Sequence, residues 1–436
     1  MIDPAVIGLI LIGGLALLLA IGTPVSIAIG LPSAVCLLLV AGFDNGAITS
    51  AQQMLRGANS FALLAIPFFV LAGVIMNNGG IAERLINLAR VLVGRTPAPL
   101  MQTNVIANTI FGTISGSAVA TAAAVGTTMS PMIRKEGYDR SMSAAVNVAS
   151  APAGMLIPPS NTLIIYSLAA GGTSVGALFM AGYVPGLLWA LACALVVFFY
   201  ARRHPELKGK PFPGWGVLAR TVLQAIPSLG LIVVAIGGIV AGFFTPTEGS
   251  AIAVVYALAL SFIYRTIKTR DLPGILYEAC RTSSIVIFLI AVSSIMGYVM
   301  TFSRLPQLIA EGLFGWTDSK VIVLLIMMGI LLLIGIPLDP TPALLIFVPI
   351  FLPIAVSYGI DPVHFGIMMV FNLSIAVISP PSAPVLFVGT QVARAKLEGV
   401  IVKLTPFLIV LIAMLFLVVF VPDLSLALPR LLGLVS

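Results

Sequence analysis

Charge is scarce in this sequence. Lys and Arg number 22 and Asp and Glu 15 among 436 residues, so 8% of the chain is charged, 60% is hydrophobic and the mean hydropathy is +1.15. A soluble domain carries roughly a quarter charged residues. A chain with so few cannot solvate its outer face with water, and lipid must take that place. In lipid, backbone groups have to be satisfied inside a helix or a closed sheet. The apolar runs reach about 20 residues without strict alternation, which favours helices over barrel strands.

Other absences narrow the function. The three cysteines, Cys36, Cys193 and Cys280, are scattered through apolar segments and suggest neither a disulfide framework nor a metal cluster. There are two histidines, His204 in a basic loop and His364 at a helix start. No His-Glu-x-x-His motif occurs, and the interval from Gly112 to Gly116 does not have nucleophile-elbow spacing. No Walker A sequence occurs, so ATP is not the driver. A membrane-embedded enzyme is thereby disfavoured, and no catalytic residues or transition metal are expected. Asp3 stands where a signal peptide would be basic, and no clean small-residue cleavage site follows, so residues 4–21 read as a retained helix. The net charge of +7 is better explained by loop placement than by a nucleic-acid partner.

What is present is a self-match at one offset. Thr23-Pro24 and Thr245-Pro246, Pro131 and Pro353, Gly137 and Gly359, Asp139 and Asp361, and Pro158-Pro159-Ser160 and Pro380-Pro381-Ser382 are all 222 positions apart. One such match is weak in a chain with 30 prolines, but a shared offset over most of the chain is hard to reach by chance. Repeats of this kind mark secondary transporters. The expected organisation is a first repeat over 1–201, a basic linker over 202–221 and a second repeat over 222–436.

Hydropathy predicts five spans per half: near 4–21, 24–43, 60–77, 143–170 and 177–200, then near 222–243, 249–264, 282–301, 364–390 and 404–421. Two further apolar segments, about 100–130 and 321–357, are interrupted by polar, Gly- or Pro-bearing tips. Each arm has about 15 residues and rises about 22 Å, short of a bilayer core of about 30 Å. Each segment therefore reads as a re-entrant hairpin that enters and leaves on one side. The fold class is an all-α membrane protein with about ten transmembrane helices, two re-entrant hairpins and two repeats.

Loop charge sets the orientation. Placing 202–220, 265–281, 78–99, 131–142 and 391–403 in the cytoplasm leaves only Arg56, Arg304, Lys320 and Arg430 outside. Matched loops carry opposite bias. Segment 81–95 holds Arg84, Arg90 and Arg95, whereas 303–318 has Arg304 balanced by Glu311 and Asp318. Loop 131–142 has three basic residues and 353–363 has none. The repeats are then inverted, as an odd number of spans per half also requires, and both termini are expected in the periplasm. Segments 81–92 and 303–314 are amphipathic, with Ile81, Leu85, Leu88 and Leu92 on one face, and suit helices lying flat at the interface.

The candidate site lies at the tips and the broken helices. The tips are Thr113-Ile114-Ser115-Gly116-Ser117 and Gly335-Ile336-Pro337-Leu338-Asp339-Pro340-Thr341-Pro342, and the breaks are Ile157-Pro158-Pro159-Ser160-Asn161-Thr162 and Ser379-Pro380-Pro381-Ser382. Proline frees carbonyl oxygens in mid-membrane, tolerated only where the backbone lines a cavity or is buried in protein. Such oxygens with Ser and Thr hydroxyls suit Na⁺, and half-helix N-termini suit an anion. Na⁺ candidates are Ser115, Ser117, Ser160, Asn161, Asp339, Thr341, Ser379 and Ser382. Substrate candidates are Thr113, Gly116, Pro158, Asn161, Thr162 and Pro381. For any one hydroxyl, the alternative is a bond back to its own helix. Asp339 is the only acidic residue expected at mid-membrane depth, where an ionisable group is costly and usually functional. Two or more Na⁺ ions around a central substrate follow as the expectation.

The run Asn108-Thr109-Ile110-Phe111-Gly112-Thr113-Ile114-Ser115-Gly116-Ser117, the motif Ala65-Ile66-Pro67-Phe68-Phe69 and the Pro158-Pro159-Ser160 break resemble the large membrane (M) subunit of TRAP transporters, the tripartite ATP-independent periplasmic class, over essentially the whole chain. Ser160-Asn161-Thr162 also resembles the cation motif of divalent-anion/Na⁺ symporters, from which the second half departs with Ser382-Ala383-Pro384. The resemblance implies Na⁺-driven uptake of an organic acid across the bacterial inner membrane by an elevator motion. It also implies a periplasmic substrate-binding (P) protein and a small membrane (Q) subunit of about four helices, in the unfused form. Sialic acid or a C4-dicarboxylate is the expected substrate type. A stand-alone Na⁺/organic anion symporter and a channel remain alternatives.

Overall fold

The computed structural model describes residues 3–435 apart from 208, 210, 212, 213, 315, 316, 318, 381 and 382. Among the described residues every regular element is a helix and none is a strand, as a chain with this composition requires in lipid. Among the described residues seven helices are long and apolar enough to cross a membrane: Phe61–Asn78, Val175–Arg202, Trp215–Val240, Pro246–Ile263, Thr269–Phe302, Pro340–Ser357 and Leu397–Phe420. The pair Arg140–Leu156 and Asn161–Ala169, bent by 49°, makes an eighth if taken as one span.

Six of the ten expected spans are among these seven, and the seventh, Pro340–Ser357, is an arm of the expected second re-entrant segment, longer than the 15 residues expected of it; the other four expected spans are short or broken. Pro4–Ala20 and Val25–Ala41 are apolar but short, and 17 residues rise only about 25 Å. The expected span 364–390 consists of two short helices, Pro362–Ala376 and Pro384–Ala393. The polar segment after Val25–Ala41 also departs from the sequence expectation. It forms the helix Phe43–Ala58, packed on Val25–Ala41 and on Leu272–Phe302. Its many polar residues hide it from a hydropathy reading, although they lie on one face of a helix that buries little of its surface.

Local chemistry explains where helices start. Asp139 Oδ1 accepts from Ser141 N at 2.8 Å and opens Arg140–Ser150. Asp361 Oδ1 accepts from Val363 N at 2.7 Å and opens Pro362–Ala376. Each follows a left-handed glycine, Gly137 at φ +73° and Gly359 at φ +69°, that ends the preceding helix. Thr245 and Glu248 form a reciprocal capping box at the start of Pro246–Ile263.

The interrupted apolar segments are helical hairpins. The first has arms Pro99–Ser115 and Ala118–Lys135, and the second has arms Lys320–Gly335 and Pro340–Ser357. Behind each lies a helix buried along most of its length. Every residue from Met142 to Ser150 is buried, and so is every residue from Val363 to Ala376. These two helices, the hairpins, Val175–Arg202 and Leu397–Phe420 pack on one another. Trp189, fully buried, donates its indole N–H to Ala149 O at 2.8 Å and lies 4.9 Å from the Phe371 ring.

A second group of helices packs Phe61–Asn78 against Pro246–Ile263, with Val25–Ala41, Phe43–Ala58 and Leu272–Phe302 alongside. The amphipathic helix Ile81–Val93 lies against Trp215–Val240 of this group and against the first hairpin. Ile81, Leu85 and Leu88 are buried on its apolar face, whereas Leu92 is 55% exposed, so the packed stripe stops short of the helix end. Arg84 sits 3.4 Å from the centroid of the Tyr264 ring and donates to Gly80 O at 2.9 Å.

Candidate functional site

A cavity of about 160 Å³ opens where the two hairpin tips, the broken helix and the second helix group meet. The first tip is a two-residue turn. Gly116 adopts φ +60°, its N–H donating to Gly112 O at 2.9 Å, and Ser117 Oγ accepts from Ala120 N at 3.4 Å to start the second arm. A Cβ on Gly116 would lie 2.8 Å from Asn161 Nδ2, so the missing side chain lets the tip touch the broken helix.

The break runs through Ile157, whose backbone is extended, the cis Pro158-Pro159 pair and Ser160. Ser160 Oγ donates to Met155 O at 2.5 Å and accepts from Leu163 N at 3.3 Å, which caps Asn161–Ala169. Asn161 is the first residue of that helix, and its Oδ1 is buried without a hydrogen-bond partner. In the second hairpin, Asp339 is the residue before Pro340–Ser357 and presents its surface to the cavity.

The structure brings six of the sequence candidates to this cavity: Gly116, Ser117, Asn161, Thr162, Asp339 and Thr341. The other described candidates do not line it. Ser115 Oγ pairs with Thr121 Oγ1 at 2.9 Å and Ser117 O at 3.0 Å inside the tip. Thr113 Oγ1 donates to Ile110 O and Ser379 Oγ to Ile375 O, both at 2.7 Å, as bonds back to their own helices. Pro158 and Ser160 are buried within the break itself. Pro381 and Ser382 lie outside the described residues.

Sequence reasoning missed the opposite wall. Ile66 and Val70 come from Phe61–Asn78, and Thr282 and Val286 from Thr269–Phe302. Thr282 carried a faint signal as a hydroxyl beside an otherwise apolar run. Met155, just before the break, is also part of the lining.

The electrostatics follow from helix ends. Ala118 and Val119, Asn161 and Thr162, and Pro340 and Thr341 are the first two residues of three different helices, and all six line the cavity. Three helix N-termini therefore face one small space with partial positive charge that favours an anion, although Pro340 and Pro342 have no N–H and Ala343 N donates to Asp339 O at 3.2 Å, so free amides come from the first two helices and not from the third. Beside them the Asp339 carboxylate and the unpartnered Asn161 Oδ1 supply oxygen, the ligand type of a hard monovalent cation. The donor set fits Na⁺ as well as an organic anion.

The profile of the family described as "Tripartite ATP-independent periplasmic transporter, DctM component" matches residues 12–424. The uncharacterized protein YgiK of Salmonella typhimurium is 51% identical over 97% of this chain and 97% of its own length. The C4-dicarboxylate TRAP transporter large permease protein DctM of Pseudomonas aeruginosa is 38% identical over 88% of this chain and 90% of its own length. The sialic acid TRAP transporter large permease protein SiaM of Vibrio cholerae is 35% identical over 96% and 97%. Among solved structures, the YdaH transporter of Alcanivorax borkumensis superimposes with a TM-score of 0.61 over 88% of this chain and 89% of that one, at 15% identity, a likeness of fold. Relatives of this kind are permeases and not enzymes, and the several membrane-crossing helices agree with a multi-pass protein of the inner membrane. The chain belongs to the TRAP transporter family, as its DctM component, the large membrane permease.

Proposed function

We propose that this chain carries a small organic acid inward across the bacterial inner membrane, coupled to Na⁺ and without ATP, by an elevator motion of the hairpins and broken helices against the second helix group. The observation that carries this reading is the convergence of three helix N-termini on one cavity with Asp339 and Asn161 beside them. The helix ends suit a carboxylate. Asp339, Asn161 Oδ1 and the hydroxyls of Ser117 and Thr341 would hold Na⁺ next to it, and each ion would lower the cost of bringing in the other.

Elevator movement is supported by the way the site is split. Gly116, Asn161 and Asp339 belong to the hairpin group, whereas Ile66, Val70, Thr282 and Val286 belong to the other. Sliding one group on the other carries the polar half of the cavity past an apolar wall. Repetition at an offset of 222, with Gly137 and Gly359 in the same left-handed geometry and Asp139 and Asp361 both capping helices, supports two repeats over 1–201 and 222–436; the opposite charge of matched loops supports their inversion, with both termini periplasmic.

The family is tripartite, so the reading includes a periplasmic binding protein and a small membrane subunit of about four helices as partners. The relatives named for sialic acid and for C4-dicarboxylates make those two acids the first substrates to try. The test is uptake into proteoliposomes holding the chain with its small subunit, with binding protein and labelled sialic acid or succinate outside. Accumulation should need an inward Na⁺ gradient and the binding protein. Uptake of both acids that ignores Na⁺, or that proceeds fully with this chain alone, would overturn the reading.

A further inference from the structure

A second polar cavity lies away from the site described above. It is a space of about 20 Å³ between both arms of the first hairpin, the helix Arg140–Ser150 and the helix Pro384–Ala393. That volume admits one water-sized ion or the head of a carboxylate. Two side chains in its lining are almost fully buried and leave polar atoms without partners: Asn104 Nδ2, on a residue 1% exposed, and Ser143 Oγ, on a residue 3% exposed. Asn104 Oδ1 accepts from Asn108 Nδ2 at 2.9 Å, which orients the Asn104 amide so that its NH₂ is the unused end. An unmet buried donor is costly, so a ligand that satisfies it is stabilised there.

The sign of that ligand follows from the remaining lining. Arg134 and Arg140 are part of the cavity's rim, both exposed, and no acidic side chain lines it among the described residues. The acceptors nearby are already used. Val392 O takes the Ser130 hydroxyl at 3.1 Å, and Ala122 O takes Asn147 Nδ2 at 2.8 Å. What is left is a donor amide, a hydroxyl, the Arg140 guanidinium and the terminal nitrogens of Arg134, whose Nε donates to Ser130 O at 3.4 Å. We propose that this cavity is a binding site for a small monovalent anion, an inorganic halide or a carboxylate group, on the membrane face marked by Arg134, Lys135 and Arg140. The Asn104 amide and the Ser143 hydroxyl hold the anion, and the two arginines draw it in. The site does not depend on the transport reading, since none of its residues lines the hairpin-tip cavity.

The test uses crystals of the full chain soaked in bromide, with anomalous diffraction as the readout. A bromide peak within hydrogen-bond reach of Asn104 Nδ2 and Ser143 Oγ is expected. In Arg134→Gln, an exposed change the fold tolerates, half occupancy should need about tenfold more bromide. In Asn104→Leu the peak should vanish. One further soak, of acetate against bromide, distinguishes the source, and either outcome supports the proposal: displacement by acetate makes carboxylates ligands, and resistance to acetate restricts the site to inorganic anions. In solution, bromide should raise the melting temperature of the native chain more than that of Arg134→Gln. No peak at this cavity, or a peak unchanged in both variants, would overturn the proposal.

Discussion

Gly112 and Gly154 lie backbone against backbone. A Cβ built on Gly154 would fall 2.1 Å from the carbonyl carbon of Gly112, and one on Gly112 would fall 2.8 Å from the Gly154 Cα. This contact joins the first arm of the first hairpin to the turn that precedes the Pro158-Pro159 break, and it sets the distance at which Gly116 meets Asn161.

Neither partner in that contact is a flexible side chain, so a methyl group cannot be absorbed by a rotamer change. Gly154→Ala should destabilise the chain by about 3 kcal/mol, the upper end of overpacking costs, and should abolish uptake. Gly329→Ala, in a helix with nothing within 4 Å of the new methyl, should be neutral or slightly stabilising. Thermal melts of the two variants in detergent check the contrast, and equal melting temperatures would count against it.

Asn108 pins the same hairpin deeper down. Its Nδ2 donates to Ser150 Oγ at 2.7 Å and to Asn104 Oδ1 at 2.9 Å, with Asn147 O also within reach at 3.0 Å, all within buried surroundings. Asn108→Leu keeps the volume and strands those acceptors, at a cost of roughly 2–3 kcal/mol. Hydrogen exchange should quicken in Pro99–Ser115 and Arg140–Ser150 and stay unchanged in Pro246–Ile263. Uniform acceleration across all three would mean a global effect instead.

Asp339 is the one carboxylate among the described residues of the tip cavity. Asp339→Asn keeps the shape and removes the charge. Membrane insertion should be normal, while Na⁺-driven uptake falls at least about tenfold, the loss expected when a charged ligand is replaced by a neutral one. The measurement is a Na⁺ titration of uptake, and an unchanged curve removes Asp339 from the site.

Arg84 and Tyr264 tie the amphipathic helix Ile81–Val93 to the neighbouring helix group. The attraction is to the face of the ring, worth about 0.5–2 kcal/mol. Arg84→Ala should therefore loosen that helix, seen as faster exchange of its amides. Tyr264→Phe keeps the ring, removes a hydroxyl that has no partner, and should change little. A large effect of Tyr264→Phe would show that the hydroxyl matters after all.

Much of the fold was legible because its signals are local. The hairpin tips stand where Gly116-Ser117 and Pro337 to Pro340 interrupt apolar runs, and the break stands where Pro158-Pro159 removes two amides in succession. Gly137, Asp139, Gly359 and Asp361 end and begin helices by conformational preference and capping that need no partner from elsewhere. Phe43–Ala58 was not legible, since its polarity reads as a loop until its neighbours are known. The hydroxyls were ambiguous for a related reason. Thr113, Ser115 and Ser379 bond locally while Ser117 and Thr341 face the cavity, and composition does not distinguish these roles.

By itself, then, the sequence determined that the chain lives in lipid, that it is helical, where its helices break and which residues are rich enough in oxygen to serve a site. Those properties depend on hydropathy, proline and capping, which act within a few residues of the chain. Only the tertiary structure decided which of those residues meet. The cavity joins Ile66, Gly116, Asn161, Thr282 and Asp339, drawn from five separate stretches of the chain. Their meeting rests on helix rotation and close packing, such as the Gly112–Gly154 contact, and such contacts are set by the shapes of distant partners.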